Sequence, residues 1–153
     1  MKKAKIFKIT ALLAAIAIGY MAYLWFIPHR NVQSTKAFVT IEATALVNEF
    51  LLDTDKANSL YLDSEGESKV LIVNGTISNV DKDQLGQQVI LLKNPSDKMG
   101  VSCTFTIETN DQIEKLKIGD SVKIKGVIRS GAEYDEDLDL AENAILEKCA
   151  IVE

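Results

Sequence analysis

The 153-residue sequence contains a single histidine (His29), two cysteines (Cys103 and Cys149), two prolines and one tryptophan. That scarcity excludes several chemistries. Two thiols and one remote imidazole do not supply the four close ligands of a zinc site, and the sequence has no Gly-x-Ser-x-Gly elbow, phosphate loop or His-Glu-x-x-His motif. Its 22 acidic residues always provide carboxylate pairs, but abundance is not a constellation. No catalytic residue, metal ligand or cofactor is therefore assigned, and the chain is expected not to be an enzyme. Few prolines, with 47% hydrophobic and 25% charged residues, likewise exclude a disordered or low-complexity chain. No internal repeat is present, and one folded domain is expected.

Acidic residues are wholly missing from the first 30 positions, which carry Lys2, Lys3, Lys5, Lys8 and Arg30. The remainder then holds twelve basic residues against all 22 acids. A domain so acidic is repelled by a phosphate backbone, since nucleic-acid affinity rests largely on Lys and Arg displacing counterions. Aromatic residues are also few beyond residue 36: Phe38, Phe50, Tyr61, Phe105 and Tyr134. Phe38, Phe50 and Phe105 fall on predicted core faces, so the stacking platform that single strands require is missing. Nucleic acid is an unfavoured partner.

What the sequence does have is a long apolar run. Ile9 to Ile27 is 19 residues without a charge, about 28 Å as a helix and long enough to cross a bilayer. A cleavable signal has a shorter apolar core followed by small residues, whereas this run ends in Tyr23-Leu24-Trp25-Phe26. The first cysteine is Cys103, too distant for lipid attachment at a mature N-terminus. The run reads as an uncleaved signal anchor, with a cleaved signal peptide or a buried core helix as the alternatives. Lysines before it place residues 1–8 in the cytoplasm by the positive-inside bias, and Tyr20, Tyr23, Trp25 and Phe26 gather at its outer end. Residues 28–36 are polar and aperiodic and read as a tether.

The folded domain is expected over 37–153. Phe38, Ile41, Ala45, Leu46 and Phe50 recur at helical spacing, and Asp53 or Thr54 is placed to cap a second short helix with Ala57, Leu60 and Tyr61. The period then changes to that of strands. Val70–Val80 is either a hairpin turning at Asn74-Gly75 or one long strand bent by a bulge at Gly75. Val89–Leu92 is a short strand closed by Asn94-Pro95, and Val101, Cys103, Phe105 and Ile107 alternate with polar residues. Asn110–Leu116 suits one helical turn, and Ile118-Gly119-Asp120 turns into a strand with Val122, Ile124, Gly126 and Ile128 on one face. Glu133–Asp139 reads as an acidic loop. A last strand lies within Ala144–Val152 in ambiguous register, because Cys149 and Ile151 share parity with Glu147 and Leu146 does not.

Five strands with a helical turn between the third and fourth match the order of an OB-fold barrel, so the predicted class is mainly β with a preceding amphipathic helix and an N-terminal transmembrane helix. The wording is more specific. Val73-x-Gly75-x-Ile77-x-x-Val80, Val101-x-Cys103-x-Phe105, Leu116-x-x-Gly119-Asp120-x-Val122-x-Ile124-x-Gly126 and Leu146-x-x-Cys149 resemble the bacterial OB-fold family called tRNA_anti-like. The resemblance runs from about Ile41 to Val152. It implies a membrane- or lipid-anchored domain with a helical stretch before the barrel and no settled activity, and the bulge reading of Gly75 follows from the sharp coiling such a barrel needs.

In such a barrel the third and last strands are neighbours, which makes Cys103–Cys149 a disulfide candidate; the alternative is two buried thiols. A bridge across a loop of about 50 residues would stabilise by roughly 4 kcal/mol on chain entropy. The carboxylates of Glu133, Asp135, Glu136, Asp137 and Asp139 lack the spacing of a calcium loop and suit a solvated strand edge, and the triplet Asn74-Gly75-Thr76 falls inside a strand, unsuited to glycosylation. Lys123, Lys125 and Arg129 form the candidate binding surface, either a solvated face or a surface for an anionic partner. By fold analogy a ligand meets the loops Asp81–Gln87, Asn94–Gly100 and Gly131–Asp139 as well. The predicted role is a non-catalytic, membrane-anchored binding module in the bacterial inner membrane, its domain periplasmic and its partner a protein or envelope component. A structural subunit of an envelope assembly and a nucleic-acid-binding module are the alternatives.

Overall fold

The computed structural model describes residues 12–23, 31–64 and 66–152. The chain divides after Arg30 into two units. In the first, 12–23 is a helix, α1, with every side chain exposed. No described helix is long and apolar enough to cross a membrane. The ends of the expected span 9–27, with Trp25 and Phe26, the basic residues 1–8 and positions 28–30 lie outside the described residues.

The second unit runs in chain order through β1 (Val39–Glu42), α2 (Ala43–Leu52), α3 (Thr54–Tyr61), β2 (Val70–Lys82), β3 (Gln88–Leu92) and β4 (Val101–Phe105). A 3-10 turn (Asn110–Ile113) leads to β5 (Ser121–Ser130), β6 (Glu133–Asp135), β7 (Leu140–Glu142) and β8 (Ala144–Val152). Strands β2, β3, β4, β8 and β5 lie side by side in that order, and β2 also pairs with β5, which closes a five-stranded barrel. The long β2 serves both sides, pairing with β5 through Val70–Thr76 and with β3 through Ile77–Lys82. As in an OB barrel, β4 and β8 run parallel.

Alternating side chains fill the barrel: Leu71, Val73, Ile77, Ile90, Leu92, Phe105, Ile124 and Leu146 are fully buried. Several local expectations need correction. The residues before α2 are not helical, because Val39–Glu42 adds a parallel strand to β2, with Ile41 opposite Val73. Phe38 is 51% exposed rather than in the core, and Ala45 is exposed; the buried stripe of α2 is Ala43, Leu46, Val47 and Phe50. The β2 strand is continuous, but its bulge falls between Ile77 and Asn79 rather than at Gly75. Gly75 instead admits close packing, since a Cβ there would sit 3.0 Å from Leu92 Cβ and 3.2 Å from Ala43 Cβ. Strand β4 stops at Phe105, leaving Ile107 exposed, where Thr109 Oγ1 draws the chain into a turn by donating to Cys149 O at 2.7 Å. Two readings stand: Asp53 caps α3, its carboxylate accepting from Lys56 N at 3.0 Å, and Gly119 turns at φ +97°.

The ambiguous parity of β8 has a structural cause. Pairing with β5 shifts between Lys125 and Val127, and Lys148 takes φ +53°, so a bulge flips the strand and puts both Leu146 and Cys149 inside. Gly126 makes room for it, since a Cβ there would lie 2.6 Å from Cys149 Sγ. Cys103 and Cys149 are free and fully buried, and the Cys103 thiol donates to Val101 O at 3.8 Å. Burial, reinforced by Cys103, pushes the Cys149 thiol well above its ordinary value.

The acidic run is not a loop but a hairpin, β6 pairing with β7 as Glu133 with Glu142 and Asp135 with Leu140. Nor does the polar stretch before residue 37 hang free from Asn31 onward. Val32 is 4% exposed, Gln33 Nε2 donates to Lys148 O at 2.7 Å, and Lys125 Nζ donates to Gln33 O at 2.8 Å.

Where β5 leaves the barrel, a Cβ on Gly131 would clash with the ring of Phe50. Gly131→Ala is accordingly expected to cost about 2–3 kcal/mol by overpacking, read as a lower denaturant midpoint with an unchanged slope. A second outcome concerns alkali. The raised Cys149 value means that above pH of about 8.5 the unfolded chain loses a proton the folded chain keeps, so in reducing buffer stability falls by up to about 1.4 kcal/mol per pH unit. Denaturation at stepped pH is expected to show that alkaline limb, and Cys149→Ala to flatten it.

Candidate functional site

Three elements frame a groove of ≈ 450 Å³ on the barrel surface. Helix α2 supplies Thr44, Val47, Asn48 and Leu51 along one wall. The β3–β4 connection supplies Asp97, Lys98 and Met99, and the β6–β7 hairpin contributes Tyr134 and Glu136. Val47 and Met99 are nearly buried while Leu51 is 42% exposed, giving an apolar floor that opens to solvent at one side.

Local folding fixes each wall. Gly100 lets the β3–β4 connection cross the Leu92 carbonyl, which a Cβ would strike, and its amide donates to Asn143 Oδ1 at 2.8 Å. Asp97 is tied to α2: Thr44 Oγ1 donates to its Oδ2 at 2.7 Å and itself accepts from Asn94 Nδ2 at 2.8 Å. The Thr44 bond, helped by donors from Asn94 and Ser96, holds the Asp97 carboxyl below its ordinary value. Lys98 joins the connection to the hairpin. Its ammonium lies 4.4 Å from the centre of the Tyr134 ring and donates to the phenol oxygen at 3.1 Å, and that hydroxyl donates to Asp139 Oδ1 at 2.6 Å. Tyr134 chiefly, with Asp139 and Glu136 nearby, raises the Lys98 value.

Both groups are thus pushed away from neutrality, Asp97 downward and Lys98 upward. Each stays ionised around pH 7, the reverse of the tuning a general acid or base needs. Among the described residues, no group of three or more His, Cys, Asp or Glu side chains is arranged to hold a metal ion. The acidic hairpin uses its carboxylates locally, Asp135 Oδ1 accepting from the amides of Asp137 and Leu138.

The sequence-predicted site residues lie elsewhere. Lys123, Lys125 and Arg129 point outward from β5 on the far side of its buried Val122, Ile124 and Ile128. Lys123 and Arg129 are exposed, and Lys125 is half-buried against Gln33. None of the three lines the groove. Of the three predicted loops, Asn94–Gly100 and Gly131–Asp139 both contribute, while the turn at 83–87 sits at the other end of β3, tied by Asn110 Nδ2 to Gly86 O at 3.0 Å. The contribution of α2 escaped sequence reasoning, although the small Thr44 beside the buried Ala43 was a signal for a close approach. Asn74 lies in β2, opposite Lys123 of β5, and donates through Nδ2 to Glu42 Oε1 at 3.0 Å, which confirms it as a strand residue.

The outer faces of β3 and β4, where OB barrels commonly seat bases, carry Val89, Leu91, Ser102 and Thr104. They offer neither an aromatic ring nor a cation. Phe50 and Phe105 are in the core, and Tyr61 donates to Glu49 Oε2 at 2.7 Å; its burial, then Glu49, pushes the phenol up to about 12.

The tRNA_anti-like family matches residues 2–138, most of the chain. The protein belongs to the tRNA_anti-like family. Among solved structures, this tRNA_anti-like chain is similar to a protein described as a putative nucleic acid-binding lipoprotein from Klebsiella pneumoniae subsp. pneumoniae, at 19% identity and a TM-score of 0.53. The match covers 74% of this chain and 91% of that one, and at this identity it establishes the shared fold alone. No curated protein matches the sequence.

The hairpin's hold on the groove is testable. Lys98→Met removes both contacts to Tyr134 and is expected to speed amide exchange across 133–142 several-fold while leaving β2 and β5 protected, as measured by hydrogen exchange with mass spectrometry.

Proposed function

We propose that this protein is a non-catalytic OB-type binding module, held at the extracytoplasmic face of a bacterial inner membrane by residues 9–27, whose ligand seats in the groove between α2, the β3–β4 connection and the hairpin. The single observation that carries the reading is the groove itself: ≈ 450 Å³ with an apolar floor and ionised groups at its rim, within the size range of a site for a small ligand or a few partner side chains. Asp97 and Lys98 hold opposite charges at that rim, which suits recognition of a polar partner. The 19-residue uncharged run and the lysines before it support the anchor and its orientation. The ligand class is a protein segment or an envelope component.

A nucleic-acid role draws on the description of the similar lipoprotein, and a structural place in an envelope assembly is the other alternative. The acidic balance of residues 31–152 and the uncharged outer face of β3 and β4, without an aromatic ring, weigh against the first.

The test is site-specific photocrosslinking in native cells, with the probe at Leu51 or Glu136 in the groove and at Leu85 as a distant control. Adducts from the groove positions that vanish when Asn48→Arg closes the groove support the reading. Equal adducts from Leu85, or adducts indifferent to Asn48→Arg, overturn it. Salt-sensitive affinity of the full chain for oligonucleotides would favour the nucleic-acid alternative.

A further inference from the structure

The outer face of β5 and β8 departs in charge from the rest of the unit. Lys123, Lys125 and Arg129 project from β5, and Lys148 stands exposed at the β8 bulge beside them. Against these four cations the face carries Glu147, opposite Val127, and Glu42, which shares a recess with Lys123 at one end. It is a net basic surface on a strongly acidic unit.

The chain enters the fold on this same face. Thr35 N and the Ser34 and Thr35 hydroxyls all bond to Asn31 O, forming a compact turn. Gln33 fastens that turn by bonding with Lys148 O on one strand and with Lys125 Nζ on the other, and Phe38 N then donates to Val70 O at 2.7 Å. Val32, Val70 and Ala150 are all buried although they stand outside the barrel core. The turn that begins at Asn31, the first residue of the unit, is thus fastened beside Lys125 and Lys148.

Only Pro28, His29 and Arg30 separate it from the end of the apolar run at Ile27. Four steps of extended chain reach about 14 Å at most. If residues 9–27 cross a bilayer, the segment carrying Asn31 cannot leave the headgroup region by more than that distance, and the cations around it fall near the range, about 8 Å at physiological ionic strength, over which a charged lipid surface is felt.

We infer that the face formed by Lys123, Lys125, Arg129 and Lys148 docks on an anionic lipid surface. The inference rests on the anchor reading given under Proposed function. It assigns the exposed cations a partner by charge complementarity and leaves the groove, on other elements, available to its ligand.

Amine-reactive footprinting of the full chain in nanodiscs tests it, with phosphatidylcholine discs compared with discs of phosphatidylcholine and phosphatidylglycerol. Lys123 and Lys148 are expected to react several-fold more slowly in the anionic discs, while Lys56, Lys82 and Lys93 react alike in both. Lys123→Gln with Arg129→Gln, both at exposed positions, is expected to restore the Lys148 rate. A lipid-independent footprint, or equal protection of the control lysines, overturns the docking. Vesicle flotation after a high-salt wash separates the two ideas: a chain stripped from vesicles overturns the anchor and the docking with it, whereas a chain retained with a lipid-independent footprint overturns the docking alone. Protection of the same lysines by an oligonucleotide in neutral discs, with none from anionic lipid, would assign the face to nucleic acid and overturn the lipid assignment.

Discussion

The contact between Phe50 and Gly131 is the constraint on which the arrangement of this protein turns. Phe50 is fully buried at the inner stripe of α2, and Gly131 lets the chain leaving β5 lie directly on its ring. A small barrel has open ends, and here one end is covered by a helix that precedes the barrel in sequence. Fixing α2 there also fixes Thr44, Val47 and Leu51, and fixing Gly131 sets the root of the β6–β7 hairpin. The groove is therefore a by-product of closing the core, and its two long walls cannot shift independently of that ring.

Its third wall is held differently. The β3–β4 connection has little apolar burial beyond Met99 and depends on charge-assisted bonds: Asp97 to Thr44 on the helix side, Lys98 to Tyr134 on the hairpin side. Both keep the ionised form of the charged partner favoured. The site is apolar and buried where it meets the core and polar and exposed where it meets solvent, a division common to binding surfaces built on stable scaffolds.

Much of the barrel was legible in the sequence because period-2 alternation is strict where one face is buried. Val101–Phe105 and Val122–Ile128 are examples, and the Gly119-Asp120 turn and the Asp53 cap were likewise readable from residue type. The misreadings share a cause. Phe38 and Ile41 sit at helical spacing, yet tertiary pairing with β2 draws Val39–Glu42 into a strand, and spacing alone cannot register a partner thirty residues away. The hairpin in the acidic run lacked an apolar alternation strong enough to announce it. The β8 register was undecidable because a bulge, not a regular strand, reconciles Leu146 with Cys149. The groove was visible in two of its three walls, since turn signals mark loops but nothing local tells which helix will lie beside them.

Strand β8 pairs with both β4 and β5 and supplies the carbonyl that Gln33 grips at the other end of the unit. The barrel therefore has no closed form while β8 is still being made: β4 and β5 each keep an open edge, and the turn at Asn31 has nothing to fasten to. Closure waits on β8, and until that strand is made the nascent unit carries two unpaired strand edges, the state in which a β-rich chain most needs protection from its neighbours.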